Sequence, residues 1–465
     1  MNRQYLRLLS GVLLMIALPA CQTPGTSGLE EKLADQGESV PSAWAPLQVD
    51  GLQTSSWQNA FSDPKLRTYL GRSSDNFDVQ IAEARLQQAD AARRLARSRL
   101  GPSLGLGARG DAASALEDPD FSETFSLNAS TSLDLSPFGP NRAGLAIADA
   151  GFRSESERAR DVKRAVDASI VRAYYGAIEA DQLLALAEAN LDFQEQTLAI
   201  GRARFEAGQD ARDTLALAEA STGSAEAELE IQRASRRDAH RALSLLVGDF
   251  PKASLDIGQA LDVPLRLPER GVPALVLAAR PDVQRAEAAM ASAEASLWQA
   301  RRARIPRLAL SGSIGGNSPE LEDLFDPAAY LASLGTSLAT TLFDSGGLKA
   351  STDRARSQAD EALRLYAQAL RQGVGEIESA YDRAAAIDAA LQSQTAATRA
   401  GREALRLARI RYQEGDTDLI DLLTIQRQVN GFEASLIRTR SDRIDAMVAA
   451  FLATGGDMGR HSGMK

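Results

Sequence analysis

Two stretches of the chain alternate between apolar and small polar residues. In the first, Phe125, Leu127, Ala129, Thr131, Leu133 and Leu135 alternate with Ser126, Asn128, Ser130, Ser132 and Asp134. In the second, Leu334, Thr336, Leu338, Thr340 and Leu342 alternate with Ser333, Gly335, Ser337, Ala339 and Thr341. Shorter runs, Leu104-Leu106-Ala108 and Leu308-Leu310-Gly312-Ile314, keep the same spacing. A period of two predicts strands with one apolar and one polar face. The expectation is one hairpin over about 103–135 and one over about 307–343, with polar tips at about 111–121 and 316–329.

Around the hairpins the period becomes helical. Segments at about 76–100 and 281–304 are dense in Ala, Arg, Gln and Glu, and end at Pro102 and Pro306, which cannot continue a helical ladder. From Pro140 to about Phe205 no proline intervenes, and Ile170, Ala177, Leu184, Leu191 and Leu198 recur every seven residues. Leu363, Leu370, Ile377, Ala384 and Leu391 repeat that seam later in the chain. Each long helix spans some 65 residues, about 100 Å at 1.5 Å per residue. Each returns through a second helix, about 213–247 or about 418–453, after a turn holding Gly208 or Gly415, the residue type that ends helices in the left-handed region. Heptads alone fit a coiled-coil rod as well as a helical tube.

The order helix, hairpin, long helix, return helix occurs twice. Asp78-Val79-Gln80-Ile81-Ala82-Glu83-Ala84 finds its echo 204 residues on in Asp282-Val283-Gln284-Arg285-Ala286-Glu287-Ala288. Arg204-Phe205-Glu206-Ala207-Gly208 matches Arg411-Tyr412-Gln413-Glu414-Gly415. The chain is read as two tandem repeats, 57–270 and 271–455, after an N-terminal linker at 21–56 and before a short tail at 456–465.

The first twenty residues change the setting. Arg3 and Arg7 precede an apolar run from Leu8 to Leu18, too short to span a bilayer and suited to a secretory signal over 1–20. It ends in Leu18-Pro19-Ala20-Cys21, which resembles a bacterial lipobox, with Cys21 as the acylated residue. Stable anchoring takes more than one acyl chain or signal. Gln22, where an aspartate resembles an inner-membrane retention signal, favours the outer membrane.

Composition narrows the rest. Cys21 is the one cysteine, so no internal disulfide or thiolate metal site is expected, and His240 and His461 lie too far apart in sequence to suggest a histidine metal site. Aromatics make up 5% of the chain, and the net charge of −10 argues against nucleic acid as a partner. Gly105-Leu106-Gly107-Ala108-Arg109-Gly110 has dinucleotide-fingerprint spacing but follows a helix and opens none, so that reading fails. No catalytic constellation is visible, and neither enzyme activity nor a cofactor is expected.

With no apolar helix long enough, a membrane crossing falls to the strands. A small half-wet sheet on a soluble domain also satisfies the alternation. A membrane barrel needs lipid on one side and a watery lumen on the other. Four strands are too few to close one, since roughly eight are needed. Three chains would supply twelve.

The chain resembles the TolC/OprM type of outer-membrane efflux protein, in its lipoprotein subclass. The features carrying this are Trp57 with Phe61-Ser62-Asp63-Pro64-Lys65-Leu66, Leu133-Asp134-Leu135 with Phe138-Gly139, Arg280-Pro281-Asp282-Val283, Leu342-Phe343-Asp344-Ser345-Gly346-Gly347, and the two glycine-bearing tips. The resemblance implies a homotrimer with a twelve-stranded barrel continued by a long α-helical periplasmic tunnel. It implies docking to a periplasmic adaptor and an inner-membrane pump, and export of drugs, metals or similar small molecules. The adaptor would meet the tips around Arg204, Gly208, Arg411 and Gly415. A constriction would be built from Asp421, Ile420 and Thr424, although Thr424 stands where relatives often carry a second aspartate, and Thr214 where the first repeat usually has one. Acids at a helix start also suit the helix dipole, so Asp416, Asp418 and Asp421 have a plain local reading. Type I protein secretion uses the same architecture. A coiled-coil tether without a pore is the reading from another class, and amphipathic strands speak against it.

Overall fold

The computed structural model describes residues 61–455 apart from 116–117, 137–138, 269 and 271–272, together with Pro41 and Leu52–Thr54. The expected signal, Cys21, Trp57, Phe138 and the tail at 456–465 lie outside the described residues.

The chain opens with a short strand, β1 (Leu52–Thr54), a short helix, α1 (Pro64–Leu70), and α2 (Phe77–Ser98). The first hairpin follows as β2 (Ser103–Ala115) and β3 (Asp118–Asp134), then the long α3 (Pro140–Glu206) and its return α4 (Arg212–Leu246). A connecting region carries β4 (Arg266–Pro268) and α5 (Pro273–Ala278). The pattern then repeats as α6 (Pro281–Arg302), β5 (Arg307–Ser318), β6 (Tyr330–Ala339), α7 (Gly347–Glu414) and α8 (Leu419–Ala453). The two long helices contain 67 and 68 residues, as the uninterrupted seams predict.

Local chemistry fixes the boundaries. Asp63 caps α1 by accepting from Lys65 N–H at 2.9 Å, and Pro64 occupies the first turn, where its missing N–H costs nothing. Asn76 does the same for α2 through Asp78 N–H at 2.8 Å. Asp344 accepts from Gly346 N–H at 3.1 Å and Leu348 N–H at 2.5 Å, which starts α7. That cap corrects one expectation. Alternation runs on to Leu342, but pairing stops at Ala339, because the backbone turns into the cap of α7. The first hairpin departs the other way. The polar stretch at 111–121 reads as a tip in the sequence, yet Asp111 to Ala113 pair with Ser122 to Thr124, and Ala115 with Asp118. Strand pairing is made by the backbone and does not require apolar side chains.

All four long strands join one antiparallel sheet in the order β2-β3-β5-β6, so the two hairpins are sewn together by β3 and β5. The helices pack beside one another below it. Arg93 of α2 stacks over Phe152 of α3 at 4.3 Å, and Arg285 of α6 lies 3.4 Å from Asp161 of α3. α4 runs back along the C-terminal half of α3, and α8 along that of α7. Seam residues Ile170, Ala177, Leu198, Leu363, Ile377, Ala384 and Leu391 are buried.

The largest core lies midway along the long helices. Phe61, Leu66, Tyr174, Tyr175, Ile178, Leu243, Leu261, Leu277, Ile377, Tyr381 and Met447 pack there. β1 and β4, which the sequence pattern does not announce, pair in parallel beside it. Tyr174 hydroxyl donates to Asp63 at 2.6 Å and accepts from Gly258 N–H at 2.8 Å, tying α1 and the connecting region to α3. Buried His240 accepts from Leu255 N–H through Nδ1 at 3.1 Å, while its Nε2 lies 3.1 Å from Asp181. Among the described residues no helix is long and apolar enough to cross a membrane.

Candidate functional site: a two-faced sheet and paired helical tips

The strand register sorts the side chains onto two faces. Leu104, Leu106 and Ala108 of β2 sit opposite Thr131, Ala129 and Leu127 of β3. Ala129 and Leu133 pair in turn with Ile314 and Leu310 of β5, and Gly312 with Leu334 of β6. Residues directly opposite point to the same side of a sheet, so these form one continuous apolar face. Leu104, Leu334 and Leu338 are 84%, 79% and 71% exposed, an arrangement water does not favour over such an area. Phe125 and Tyr330 stand on this face towards the end away from the helices.

The other face is small and polar. Ser103, Ser130, Ser132, Asn128, Ser311, Ser313, Ser333 and Ser337 share it, with Gly105, Gly107, Gly315 and Gly335 between them. Ser103 and Ser132 hydroxyls bond across β2 and β3 at 2.8 Å, as do Ser313 and Ser333 across β5 and β6. Asn128 lies between Gly107 and Gly315. A Cβ at Gly315 would stand 2.8 Å from Asn128 Cβ and from Leu127 oxygen, so only glycine admits this approach. Leu331 is the large apolar residue on the polar face. The outer edges of β2 and β6 have no partner strand within the described chain.

At the far end of the helices the repeats make matching turns. After α3, Gln209 N–H donates to Arg204 oxygen at 2.9 Å and Gly208 N–H to Phe205 oxygen at 2.9 Å. After α7, Asp416 N–H donates to Arg411 oxygen at 2.8 Å and Gly415 N–H to Tyr412 oxygen at 3.2 Å. Both are the paired C-terminal bonds of a Schellman turn, and Gly208 (φ 77°) and Gly415 (φ 84°) take its left-handed position. Arg204 and Arg411 are therefore equivalent in backbone role. Their side chains differ, since Arg411 is exposed while Arg204 lies between the tips. Arg204 Nε lies 3.1 Å from Asp210 Oδ2, and its Nη1 donates to Tyr412 oxygen at 3.3 Å.

The three residues expected at a constriction share one side of α8. Leu419, Leu422 and Leu423 turn inward onto Phe193, Leu215, Ala408 and Tyr412. Ile420, Asp421 and Thr424 turn the other way and are exposed, Ile420 by 61%. Asp418 caps α8 by accepting from Asp421 N–H at 2.9 Å, and Thr417 hydroxyl donates to the Asp421 carboxylate at 3.1 Å. Asp421 thus has a local partner as well as an open face. Thr214, half-buried, does not mirror it, because α4 starts from Ala211 with no side-chain cap.

Sequence reasoning missed Asp210 and Tyr412 as the ties of the tips, and a polar layer higher up. There Asn190 of α3 accepts from Asn430 of α8, and Gln426 donates to Asn430 at 3.0 Å. The signal available for Tyr412 was its place in the Arg-Tyr-Gln-Glu-Gly tip, beside a residue already singled out.

A four-stranded sheet with one exposed apolar face thus stands on a column of paired helices. The outer membrane efflux protein family matches residues 73–249 and 272–456. The chain belongs to this family. It is an outer-membrane channel subunit of an efflux system. It is 27% identical to the pyoverdine export outer membrane protein OpmQ of Pseudomonas aeruginosa over 456 residues, 94% of this chain and 96% of that one. It is 29% identical to nodulation protein T of Rhizobium leguminosarum bv. trifolii over 406 residues, 82% and 83% of the two chains. The crystal structure of the open state of the Neisseria gonorrhoeae MtrE outer membrane channel superposes with a TM-score of 0.80 at 25% identity, covering 92% of this chain and all of that one.

Proposed function

We propose that three copies of this chain close a twelve-stranded barrel in the outer membrane, continued into the periplasm by a tube of their long helices. The observation that carries this is the sheet: four strands with an exposed apolar face, a small polar face and two open edges. Open edges do not survive in lipid, and four strands enclose nothing. From Phe125 to Leu133 the apolar face runs roughly 26 Å along β3 at about 3.3 Å per residue, the scale of a bilayer's apolar band before strand tilt. Lipidation of Cys21 would add a second hold on the membrane.

Within this reading the tips around Arg204, Gly208, Arg411 and Gly415 meet a periplasmic adaptor, which joins the channel to an inner-membrane pump. Ile420, Asp421 and Thr424 from three chains line the narrow end. Three carboxylates converging on one axis repel unless a cation or arginine intervenes, so such a ring draws in cations, and a cation or arginine held among them latches the narrow end. The relatives' names, pyoverdine export among them, support a small-molecule cargo. Two repeats of about equal length per chain, 57–270 and 271–455, account for the pseudo-equivalent tips. Nothing in this reading calls for catalysis or a cofactor.

Planar-bilayer recording of the detergent-extracted full chain tests it. Wild type should give channels, and Asp421→Ala should raise conductance or open time. Asp418→Ala, which removes only the α8 cap, should not do so to the same degree. Absence of channels from every preparation would end the pore reading.

A further inference from the structure

Where α6 hands over to β5, a cleft of about 410 Å³ opens between the last turn of α6, the first turns of α7 and Pro140 at the start of α3. Three arginines line it, Arg302, Arg307 and Arg354, together with Gln299, Gln358 and Ser351. No aspartate or glutamate is among its described lining residues. The chain as a whole holds 62 acids against 52 Lys and Arg. Elsewhere its helical arginines commonly take an acid three or four positions away, as Arg93 and Arg94 take Asp90 and Arg406 takes Glu403. This cleft is therefore a local reversal of the molecule's charge.

The surroundings hold it in shape. Arg302 lies over the Trp298 ring with its guanidinium carbon 5.4 Å from the ring centre. Gln299 is fixed by donating to Pro140 oxygen at 3.1 Å. Arg307 is set by the backbone ladder at the start of β5, paired with Ala339. Among the described residues neither Arg307 nor Arg354 has an ion pair. Guanidinium groups lining one cleft repel one another, and an oxyanion seated among them relieves that repulsion by accepting forked hydrogen bonds.

We propose that the cleft binds an oxyanion of the phosphate or polycarboxylate class, gripped by Arg307 and Arg354 with the Gln358 amide beside them. Two sources carry that chemistry. One is a soluble anion inside or entering the tube. The other is the headgroup of an anionic phospholipid, because the cleft sits where the sheet meets the helices. Its level against the membrane rests on the channel reading above, whereas anion binding as such does not.

The full chain, purified in a zwitterionic detergent, is titrated with inorganic pyrophosphate, with Trp298 fluorescence and calorimetry as readouts. In parallel it is placed in nanodiscs of phosphatidylcholine alone or with phosphatidylglycerol, and retained lipid is measured after detergent extraction. Arg307→Gln/Arg354→Gln is the test variant, since it leaves Arg302 on Trp298. Arg307→Lys/Arg354→Lys keeps charge without the fork. Saturable pyrophosphate binding, weakened at least about tenfold in the Gln pair and less in the Lys pair, supports a soluble anion. Selective retention of phosphatidylglycerol, lost in the Gln pair at unchanged thermal stability, supports a headgroup. No saturable binding of either, or binding indifferent to both variants, overturns the site. Channel recordings on the same samples report separately on the pore.

Discussion

Arg204 of α3 grips Tyr412 of α7: its guanidinium carbon lies 5.3 Å from the ring centre, while Nη1 donates to the tyrosine's own carbonyl at 3.3 Å. One side chain thereby ties the tip of the first repeat to that of the second, and Asp210 holds it in place. Arg204→Ala should loosen the tip by about 1–2 kcal/mol, the sum expected of a charged hydrogen bond and a part-exposed cation–π contact. The readout is faster proteolysis between 200 and 220 and between 405 and 425, with the sheet still resistant.

Tyr412 yields a second, opposite expectation. Burial and the neighbouring Asp210 push its phenol above the usual range, and its hydroxyl has no hydrogen-bond partner among the described residues. Tyr412→Phe keeps the ring under Arg204 and removes the unpaired hydroxyl. It should be neutral or stabilising by up to about 1 kcal/mol in thermal unfolding. A loss of more than that would mean the hydroxyl is bonded in the assembled protein.

The two faces of the sheet separate by substitution at adjacent residues. Leu334 lies on the apolar face beside Gly312, and Ser333 on the polar face bonded to Ser313. Leu334→Arg should cost about 2–4 kcal/mol if that face meets hydrocarbon near the bilayer centre. Ser333→Arg should fold and instead lower conductance. Urea titration in lipid vesicles reads the first and bilayer recording the second. Equal costs at both positions would deny that one face is lipid.

Strand faces and helical seams are legible in the sequence because their periods are local. Phe125 to Leu133 carries its face in every second residue, and Ile170 to Leu198 its seam in every seventh. The short motifs are legible as markers, and the structure supplies their physical meaning. Asp63-Pro64 and Asp344-Ser345-Gly346 are helix starts, and Gly208 and Gly415 are helix ends. What escapes is whatever a distant residue decides. Leu342 continues the alternation, yet the Asp344 cap has already taken the backbone out of the sheet. β1 is three residues long and exists through its pairing with β4, more than 200 positions on. Arg164 carries no local sign of its place and Arg280 is legible only as part of a short motif, but both are buried and satisfy the last carbonyls of α8. At the tip, Asp421 is legible as a candidate while its Thr417 and Asp418 partners follow from the cap geometry.

Acids facing one another across α3 and α8 give a pH dependence. Burial pushes Glu179 up, opposed by the Ser441 hydroxyl and Arg438 and assisted by Asp442 and Asp445. Burial likewise pushes Asp445 up, with Asp442 adding to it and Arg172 and Arg383 opposing. A carboxyl whose folded pKa exceeds its unfolded one contributes stability that is complete below the unfolded value, near pH 4, and is lost as pH rises through the folded value. The contribution of these two acids to helical stability should therefore fall as pH climbs from about 4 towards neutrality. Glu179→Gln with Asp445→Asn should flatten that slope and raise the melting temperature at pH 7.5. A steeper slope in the double variant would reverse the assignment.

Arg280 is the strongest single test of how the two repeats are joined. It stands before α6, and its side chain is 6% exposed. Its Nη1 donates to Ala453 oxygen at 2.7 Å, closing the end of α8, and its Nε and Nη2 fork onto Asp282 at 3.0 and 2.9 Å. Nη2 also reaches Glu376 of α7 at 2.5 Å. Burial acts to raise Asp282, but the Arg280 fork outweighs it and holds this carboxyl below its usual range. That contribution is present above the unfolded carboxylate pKa and is lost as pH falls through the folded one. Arg280→Met should cost about 3–5 kcal/mol, because it strands a half-buried carboxylate and a helix-end carbonyl together. It should also invert the local pH response, since burial alone then acts on Asp282 and the variant gains stability on acidification. Arg280→Met/Asp282→Asn removes the stranded charge and should recover part of the loss, leaving mainly the open carbonyl of Ala453. Arg280→Lys keeps charge but lacks the fork, and should fall between wild type and Met. If the Met variant melts within about 1 kcal/mol of wild type at every pH, Arg280 is not what fastens the end of α8 to the start of the second repeat.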